Sequence, residues 1–190
     1  MRVISGSAGG IRLESVKGHE YRPTAERVKE ALFNIIGSQL IDASFLDLYA
    51  GTGSIGIEAL SRGALSCTFV EKSQKAVAII RRNLDKTGLR DRAQILQCHV
   101  FYALNRLAEK RMSFDYIFLD PPYEKGMANR TLKEISSLAL KLLTNSGIII
   151  VEESKREKLH LEQNMILSRQ ETYGDTSISF IKPIFCNNGS

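Results

Sequence analysis

The chain has 190 residues, of which 43% are hydrophobic and 25% charged, and its formal net charge is +5 at pH 7. This composition is ordinary for a globular protein with a sizeable core, and it excludes the weakly hydrophobic, highly charged class of disordered chains. No apolar run approaches the length of a membrane span, and the N-terminus lacks the apolar core of a secretion signal. The mildly basic balance permits a polyanionic partner without demanding one.

Three cysteines, Cys67, Cys98 and Cys186, are odd in number and widely spaced. They match neither a disulfide framework nor a zinc-binding pattern, so we expect no metal site and a reducing, cytoplasmic setting. The length favours a single domain, with an N-terminal extension over residues 1–23 and a core over residues 24–190.

The first twenty residues place a glycine-rich turn between two short apolar pairs, Val3/Ile4 and Ile11/Leu13, which predicts a small hairpin. A helix should follow, with Thr24 as its N-cap and Gly37 at its end, because apolar residues recur at helical spacing from residue 28 to residue 36.

Three cations, Arg22, Arg27 and Lys29, surround the predicted start of this helix. They indicate either a solvated face or a grip on phosphates, and composition alone does not choose between these interpretations.

A glycine-rich loop follows the first core strand, which we predict over residues 45–49. Gly51, Gly53 and Gly56 form a G-x-G-x-x-G pattern that leads into a helix ending near Gly63. Glycines allow a tight turn and close approach of a ligand, and the helix start offers unpaired N–H groups. In this strand–turn–helix context the loop predicts a nucleotide-type ligand.

Acidic Glu71 ends the second strand, where a carboxylate can accept both hydroxyls of a ribose. A helix over residues 73–86 and a third strand over residues 93–97 follow, and a further helix is expected near residues 101–109. His99, after the third strand, has neither a nucleophile nor a metal pattern beside it, so a structural role is the simpler interpretation.

The fourth strand ends in Asp120-Pro121-Pro122-Tyr123 after a buried apolar run. Proline cannot donate to a sheet ladder, so Asp120 should stand at the carboxyl end of the strand, where open α/β sheets bind ligands. An acid, free carbonyls and an aromatic ring suit a flat base that bears an amine.

Beyond this motif the pattern predicts a helix over residues 132–142, a buried strand over 147–151 and a charged surface helix over 153–162. Two alternating segments near 164–172 and 176–184 then flank a Gly-Asp turn, which predicts a hairpin. The fold class is therefore α/β and Rossmann-like, with five β–α units and a hairpin that could close one edge.

These motifs together resemble class I S-adenosylmethionine-dependent methyltransferases. Three stretches narrow the resemblance to bacterial guanine-N2 methyltransferases of small-subunit (16S) ribosomal RNA: RPTAERVKEALFN at 22–34, DLYAGTGSIGIEALSRG at 47–63 and YGDTSISF at 173–180. The resemblance covers nearly the whole chain. It implies a mostly parallel seven-stranded sheet with its last strand antiparallel, S-adenosylmethionine as cofactor, and small-subunit ribosomal RNA or the assembled 30S particle as partner of a monomeric enzyme.

The resemblance also implies roles for individual residues. The residues expected to hold the cofactor lie in and after the first three strands: Asp47, Tyr49, Ala50, Gly51, Gly53, Gly56, Glu71, Lys72, His99 and Val100. The residues expected to hold the target base and act in catalysis are Asp120, Pro121, Pro122 and Tyr123. The residues expected to contact RNA are Arg12, Arg22, Thr24 and Arg27. At position 99 the family usually carries an Asp that touches the adenine amine, so here the His99 imidazole or the Val100 backbone should take that bond.

Other functions share parts of this pattern. An amino methyltransferase acting on DNA adenine or a protein glutamine amide could use the same Asp-Pro-Pro-Tyr motif, although 190 residues leave little room for a DNA-recognition region. A nicotinamide-dependent oxidoreductase could use the glycine loop but has no evident hydride-transfer residue here. A non-catalytic RNA-binding assembly factor is a further alternative.

Overall fold

The computed structural model describes residues 1–15, 23–122 and 126–184. These ranges contain five α-helices and one seven-stranded sheet. The chain divides into two compact units, Met1–Val100 and Phe101–Ser190. The strands of the first unit lie in the order β3-β2-β1, and those of the second in the order β4-β5-β7-β6. Whether the chain also behaves as one domain stays a prediction.

The first unit contains three parallel strands and three helices. Their bounds are β1 (Ser44–Leu48), β2 (Ser66–Val70), β3 (Ala93–Leu96), α1 (Pro23–Ile36), α2 (Ser54–Ser61) and α3 (Gln74–Thr87). Every β1 residue after Ser44 is buried. Helix α3 begins at its N-cap Ser73, whose side chain accepts from the Ala76 N–H at 3.4 Å, and it ends at the left-handed Gly88.

The predicted N-terminal hairpin is confirmed as a short antiparallel segment. Arg2 and Arg12 form a β-bridge, and the Val3 N–H donates to the Ile11 carbonyl at 2.9 Å. Gly6 brings the turn against α2 with φ +86°, and a Cβ at this position would lie 1.9 Å from the Ser61 carbonyl oxygen. The close approach therefore requires glycine at position 6.

Buried Glu58, on α2, ties this hairpin to the unit. Its two carboxylate oxygens accept the backbone N–H groups of Ile4 at 2.7 Å and Ser5 at 3.0 Å. The same carboxylate pairs with Lys29 of α1 at 3.3 Å and Arg62 at 2.7 Å. Lys29 is only 3% exposed, and burial lowers the pKa of its ammonium. The sequence placed Lys29 among three cations that could hold phosphate, but this side chain is a buried ion-pair partner.

The second unit contains a parallel pair of strands and an antiparallel edge. Its elements are α4 (Val100–Glu109, whose first residue ends the first unit), β4 (Phe114–Leu119), α5 (Met127–Leu142), β5 (Leu143–Ser154), β6 (Met165–Tyr173) and β7 (Thr176–Pro183). Strand β4 pairs parallel to β5, whereas β7 runs antiparallel to both β5 and β6. The hairpin with its turn at Gly174, φ +62°, confirms the predicted edge and the antiparallel last strand.

Two local predictions are wrong. The charged segment over 153–162 is not a helix, because β5 continues to Ser154 in its ladder with β7 and the next residues form a loop. Asn129 fixes that loop by accepting the His160 N–H at 2.8 Å. Thr24 does not cap α1, because the helix already begins at Pro23, and proline is favoured in the first turn, where its missing N–H costs nothing.

No helix in the described ranges is long and apolar enough to cross a membrane. Within the same ranges no three His, Cys, Asp or Glu side chains gather in a way that could hold a metal ion. Cys67 is buried and Cys98 is partly buried, and the two do not form a disulfide with each other. Burial raises the pKa of Cys67 well above its usual value.

Candidate active site

The glycine loop of the first unit turns sharply between β1 and α2. Three consecutive odd-numbered residues, Tyr49, Gly51 and Gly53, have φ values of +63°, +55° and +81°. The Gly53 N–H donates to the Ala50 carbonyl at 2.7 Å, and the Ala50 N–H donates to the Val70 carbonyl at 2.9 Å. Backbone thus holds the turn in a left-handed form, and Tyr49 adopts it although a side chain disfavours that region.

Asp47 and Gly56 lock the loop to the strand beneath it. Asp47 is 2% exposed, and its Oδ2 accepts the Gly56 N–H at 3.0 Å. A Cβ at Gly56 would lie 2.3 Å from the Phe69 ring and 2.6 Å from Cys67 Sγ, so this glycine permits the close packing of α2 on β2. The third glycine of the pattern therefore serves packing.

Glu71 closes the other side of the loop. Its Oε2 accepts the Gly51 N–H at 2.9 Å, and its Oε1 accepts the Ser73 N–H at 2.7 Å. A carboxylate can accept about four hydrogen bonds, so two acceptor directions remain for a ligand. The sequence predicted the ligand-binding role of Glu71 but not its hold on the loop.

The other predicted cofactor residues lie around this turn or after β3. Lys72 and His99 are exposed, and Val100 is buried as the first residue of α4. The first N–H groups of a helix have no intrahelical acceptor, so the Val100 backbone is suited to bind a polar group. These assignments stay predictions.

Asp120 follows directly on β4 in the second unit, with Pro121 buried and Pro122 exposed beside it. No residue in the described ranges donates a hydrogen bond to the Asp120 carboxyl. The side chain is open to solvent on one side, and the protein that crowds its other sides raises the pKa of Asp120 to about 6. Tyr123 lies outside the described residues.

A second carboxyl, Glu152, stands beside Asp120. Leu119 of β4 and Val151 of β5 are in register, so the next residues along these parallel strands are Asp120 and Glu152. Burial and the charge of Asp120 raise the pKa of Glu152 to about 8. Sequence analysis missed Glu152, although an acid directly after the apolar run Ile148–Val151 was a usable signal because that run predicted a neighbouring strand.

The predicted RNA contacts are only partly described. Arg12 and Arg27 are exposed in the first unit. Arg22 lies outside the described residues, and Thr24 is described only as part of the α1 backbone. The exposed positions are compatible with phosphate contacts, which stay predictions.

Comparison with known proteins shows the family to which the chain belongs. Residues 1–182 match the family model described as "Conserved hypothetical protein 95". The chain belongs to this family. The chain is 38% identical over 183 residues to "Putative rRNA methyltransferase YlbH" of Bacillus subtilis, covering 96% of this chain and 98% of that protein.

A second relative and a solved structure support the same family and fold. The chain is 30% identical over 178 residues to "Ribosomal RNA small subunit methyltransferase D" of Escherichia coli, covering 93% of this chain and 87% of that protein. The structure titled "Putative methyltransferase yhhF from Escherichia coli" superposes with a TM-score of 0.83 at 25% identity, covering 96% and 97% of the two chains. The resemblance to methyltransferases found in the sequence is confirmed at the level of family and fold, and both relatives are named as rRNA methyltransferases. The guanine-N2 specificity stays a prediction.

Proposed function

We propose that this protein transfers a methyl group from S-adenosylmethionine to the exocyclic N2 amine of a guanine in small-subunit ribosomal RNA. The main observation behind the proposal is the Asp120 carboxyl. Asp120 directly follows β4 and precedes two prolines, and its carboxyl accepts no hydrogen bond from any described residue. The small-subunit RNA substrate follows from the name of the Escherichia coli relative. Guanine N2 follows from the sequence resemblance.

The residues of the first unit fit the cofactor. Gly51 and Gly53 keep side chains out of the loop, and no atom outside their own neighbourhood lies within 3.2 Å of a Cβ built there. Glu71 keeps acceptor directions for ribose hydroxyls, while Asp47 holds the loop that would face the methionine portion. When bound, S-adenosylmethionine supplies a methyl group already activated by a sulfonium, so the protein contributes mainly positioning.

Asp120 orients the target amine in this proposal. The nitrogen lone pair of guanine N2 is delocalised into the ring and nucleophilic only when it is turned out of that conjugation. Asp120 and the Pro121 carbonyl would accept the two N–H groups, which aims the lone pair and stabilises the positive charge that develops on nitrogen. As the N–C bond forms, Asp120 takes the proton that N2 releases, and its pKa of about 6 leaves it ionised at neutral pH.

Arg12 and Arg27, together with Arg22, would bind phosphates and leave sequence selection to RNA shape. The target guanine must be unpaired or flipped out to reach Asp120. A ribosomal RNA substrate implies action in the cytoplasm, and we propose a monomer as the active form.

The test is transfer of tritium from methyl-labelled S-adenosylmethionine to four separate substrates: 30S particles, naked 16S ribosomal RNA, DNA and protein. The proposal expects label in one or both RNA substrates only. Label in DNA or protein would replace it with another amino methyltransferase. No transfer to any substrate, despite RNA binding, would favour a non-catalytic assembly factor.

A further inference from the structure

Glu152 has no role in the function proposed so far. It lies on β5, one residue beyond Val151, and its partner across the antiparallel ladder is the uncharged Ile178 of β7. From β4 the charged group that faces it is Asp120. Residues that are in register on parallel strands point to the same face of the sheet, so the two carboxyls are neighbours on one face.

The next residue, Glu153, supplies a contrast. It points to the opposite face, is 4% exposed, and accepts a hydrogen bond from the Ser179 hydroxyl at 3.1 Å. Ser179 in turn accepts from the Gln170 side chain at 3.0 Å. One carboxylate oxygen of Glu153 is thus held within the β5–β7–β6 layer, and the other is buried without a donor among the described residues. No described residue donates a hydrogen bond to either oxygen of Glu152.

Two adjacent carboxyls that have no donor among the described residues suit a ligand edge that offers a donor and an acceptor side by side. The amine of guanine has this arrangement, because N2 donates and the neighbouring ring nitrogen N3 accepts. A carboxylate matches the amine, and a protonated carboxyl matches the ring nitrogen. Two like charges this close disfavour ionisation of both, so one proton is retained by the pair near neutral pH.

We propose that Glu152 is a second residue of the target-base site, where its protonated carboxyl donates to guanine N3 while the Asp120 carboxylate accepts from N2. The proposal rests on the proposed function and names the part of the base that each carboxyl contacts. The proton belongs to Glu152 because burial together with the adjacent Asp120 charge raises its pKa to about 8, above the value of about 6 for Asp120. Above about pH 8 Glu152 is ionised, so its carboxylate becomes a hydrogen-bond acceptor that faces another acceptor, guanine N3.

The activity test compares pH profiles of kcat/KM for methyl transfer in wild type, Glu152→Gln, Glu152→Ala and the control Glu153→Gln. Wild type should rise through about pH 6 and fall above about pH 8, where Glu152 ionises. Glu152→Gln keeps an N–H donor that cannot ionise, so it should keep the rise and lose the fall. Glu152→Ala should lower kcat/KM roughly 10- to 100-fold at neutral pH through the lost hydrogen bond. Glu153→Gln should follow wild type.

An unchanged fall in Glu152→Gln, or wild-type activity in Glu152→Ala, would overturn the inference and leave the proposed function intact. If wild type transfers no methyl group, carbon-13 NMR of labelled carboxyls tests the pair without a substrate. The Glu152 titration midpoint should then move to lower pH in Asp120→Asn and stay in place in Glu153→Gln. If the Glu152 titration midpoint does not move in Asp120→Asn, the two carboxyls are not coupled and the inference is overturned.

Discussion

Two groups of carboxylates, one in each unit, are used in opposite ways. In the first unit, Asp47, Glu58 and Glu71 each accept one or more backbone N–H groups, between 2.7 and 3.0 Å. In the second unit, Asp120 and Glu152 accept none from the described residues. The first set fixes the shape of the loop and of the N-terminal hairpin, and the second set remains free to bind a substrate.

Burial raises the pKa of three acids of the second unit, to about 6 for Asp120, about 8 for Glu152 and about 7 for Glu153. At Glu153 the hydrogen bond from Ser179 partly offsets the effect of burial, whereas Asp120 and Glu152 have no such donor among the described residues. Perturbed pKa values cluster at functional sites, which supports Asp120 and Glu152 as site residues.

The largest effect should come from Asp120. We expect Asp120→Ala to lower kcat for methyl transfer by about 10²- to 10³-fold, the size seen when one group that stabilises transition-state charge is removed. Folding should be unaffected because the carboxyl holds no described residue. The checks are tritium transfer and circular dichroism.

Glu153→Gln is the matched control for this change, since it removes a carboxylate from the opposite face of the adjacent strand. If Asp120→Ala retained activity within threefold of wild type while folded, Asp120 would not orient the amine. Equal losses in both variants would point to a general effect on the sheet.

Glu58→Ala should lower the stability of the fold, whereas Asp120→Ala should lower activity and leave folding unaffected. It leaves Lys29 buried without its partner and two backbone N–H groups without an acceptor, which costs about 3–5 kcal/mol. The melting temperature should fall by roughly 10 °C, and the hairpin should become sensitive to protease. Replacing Lys29 and Glu58 together by Met should cost less than Glu58→Ala; an equal or larger cost would contradict the ion-pair explanation.

The hairpin contact itself is tested by two glycines with nearly equal φ. Gly6 and Gly10 have φ of +86° and +84°, but only at Gly6 would a Cβ meet another atom, the Ser61 oxygen. We expect Gly10→Ala to cost about 1 kcal/mol from backbone strain and Gly6→Ala about 1–3 kcal/mol more from the clash. Urea denaturation measures both. Equal losses would show that the hairpin does not dock as described.

The smallest effect concerns the exposed cations of the first unit. Replacing Arg12 and Arg27 by Ala should weaken RNA binding several-fold and reduce the salt dependence by about 0.7–0.9 per lost phosphate contact. Arg169→Ala removes an exposed arginine of the second unit, paired with Glu171 at 2.9 Å, and should change neither. If wild type, the variant without Arg12 and Arg27, and Arg169→Ala show the same salt dependence of RNA binding, then Arg12 and Arg27 are solvated and do not contact phosphates.

Sequence pattern predicted the elements that periodicity controls. The glycine loop, the strand that ends at Asp120 and the final hairpin were all found, because turn residues and apolar runs mark them locally. The error over 153–162 arose because charge suggested a surface helix, whereas pairing with β7 extends β5 to Ser154. A long-range ladder of this kind has no local signal.

The same limit applies to the site. Glu58 and Glu152 were missed because their roles depend on partners distant in sequence, the hairpin at Ile4 for one and Asp120 for the other. Nothing in the helical spacing separates Glu58 from a surface acid, except that apolar Ile57 and Ala59 flank it. Residues that act through long-range contacts need the fold before they can be recognised.

The central claim is methylation of guanine N2 by a site that depends on Asp120. The direct measurement is mass spectrometry of nucleosides from 16S ribosomal RNA, presented naked and as 30S particles, after incubation with S-adenosylmethionine and either wild type or Asp120→Asn. We predict one additional N2-methylguanosine per RNA molecule with wild type and a strongly reduced yield with the variant. A methyl group on any other base or position, or equal yields from both proteins, would contradict the account.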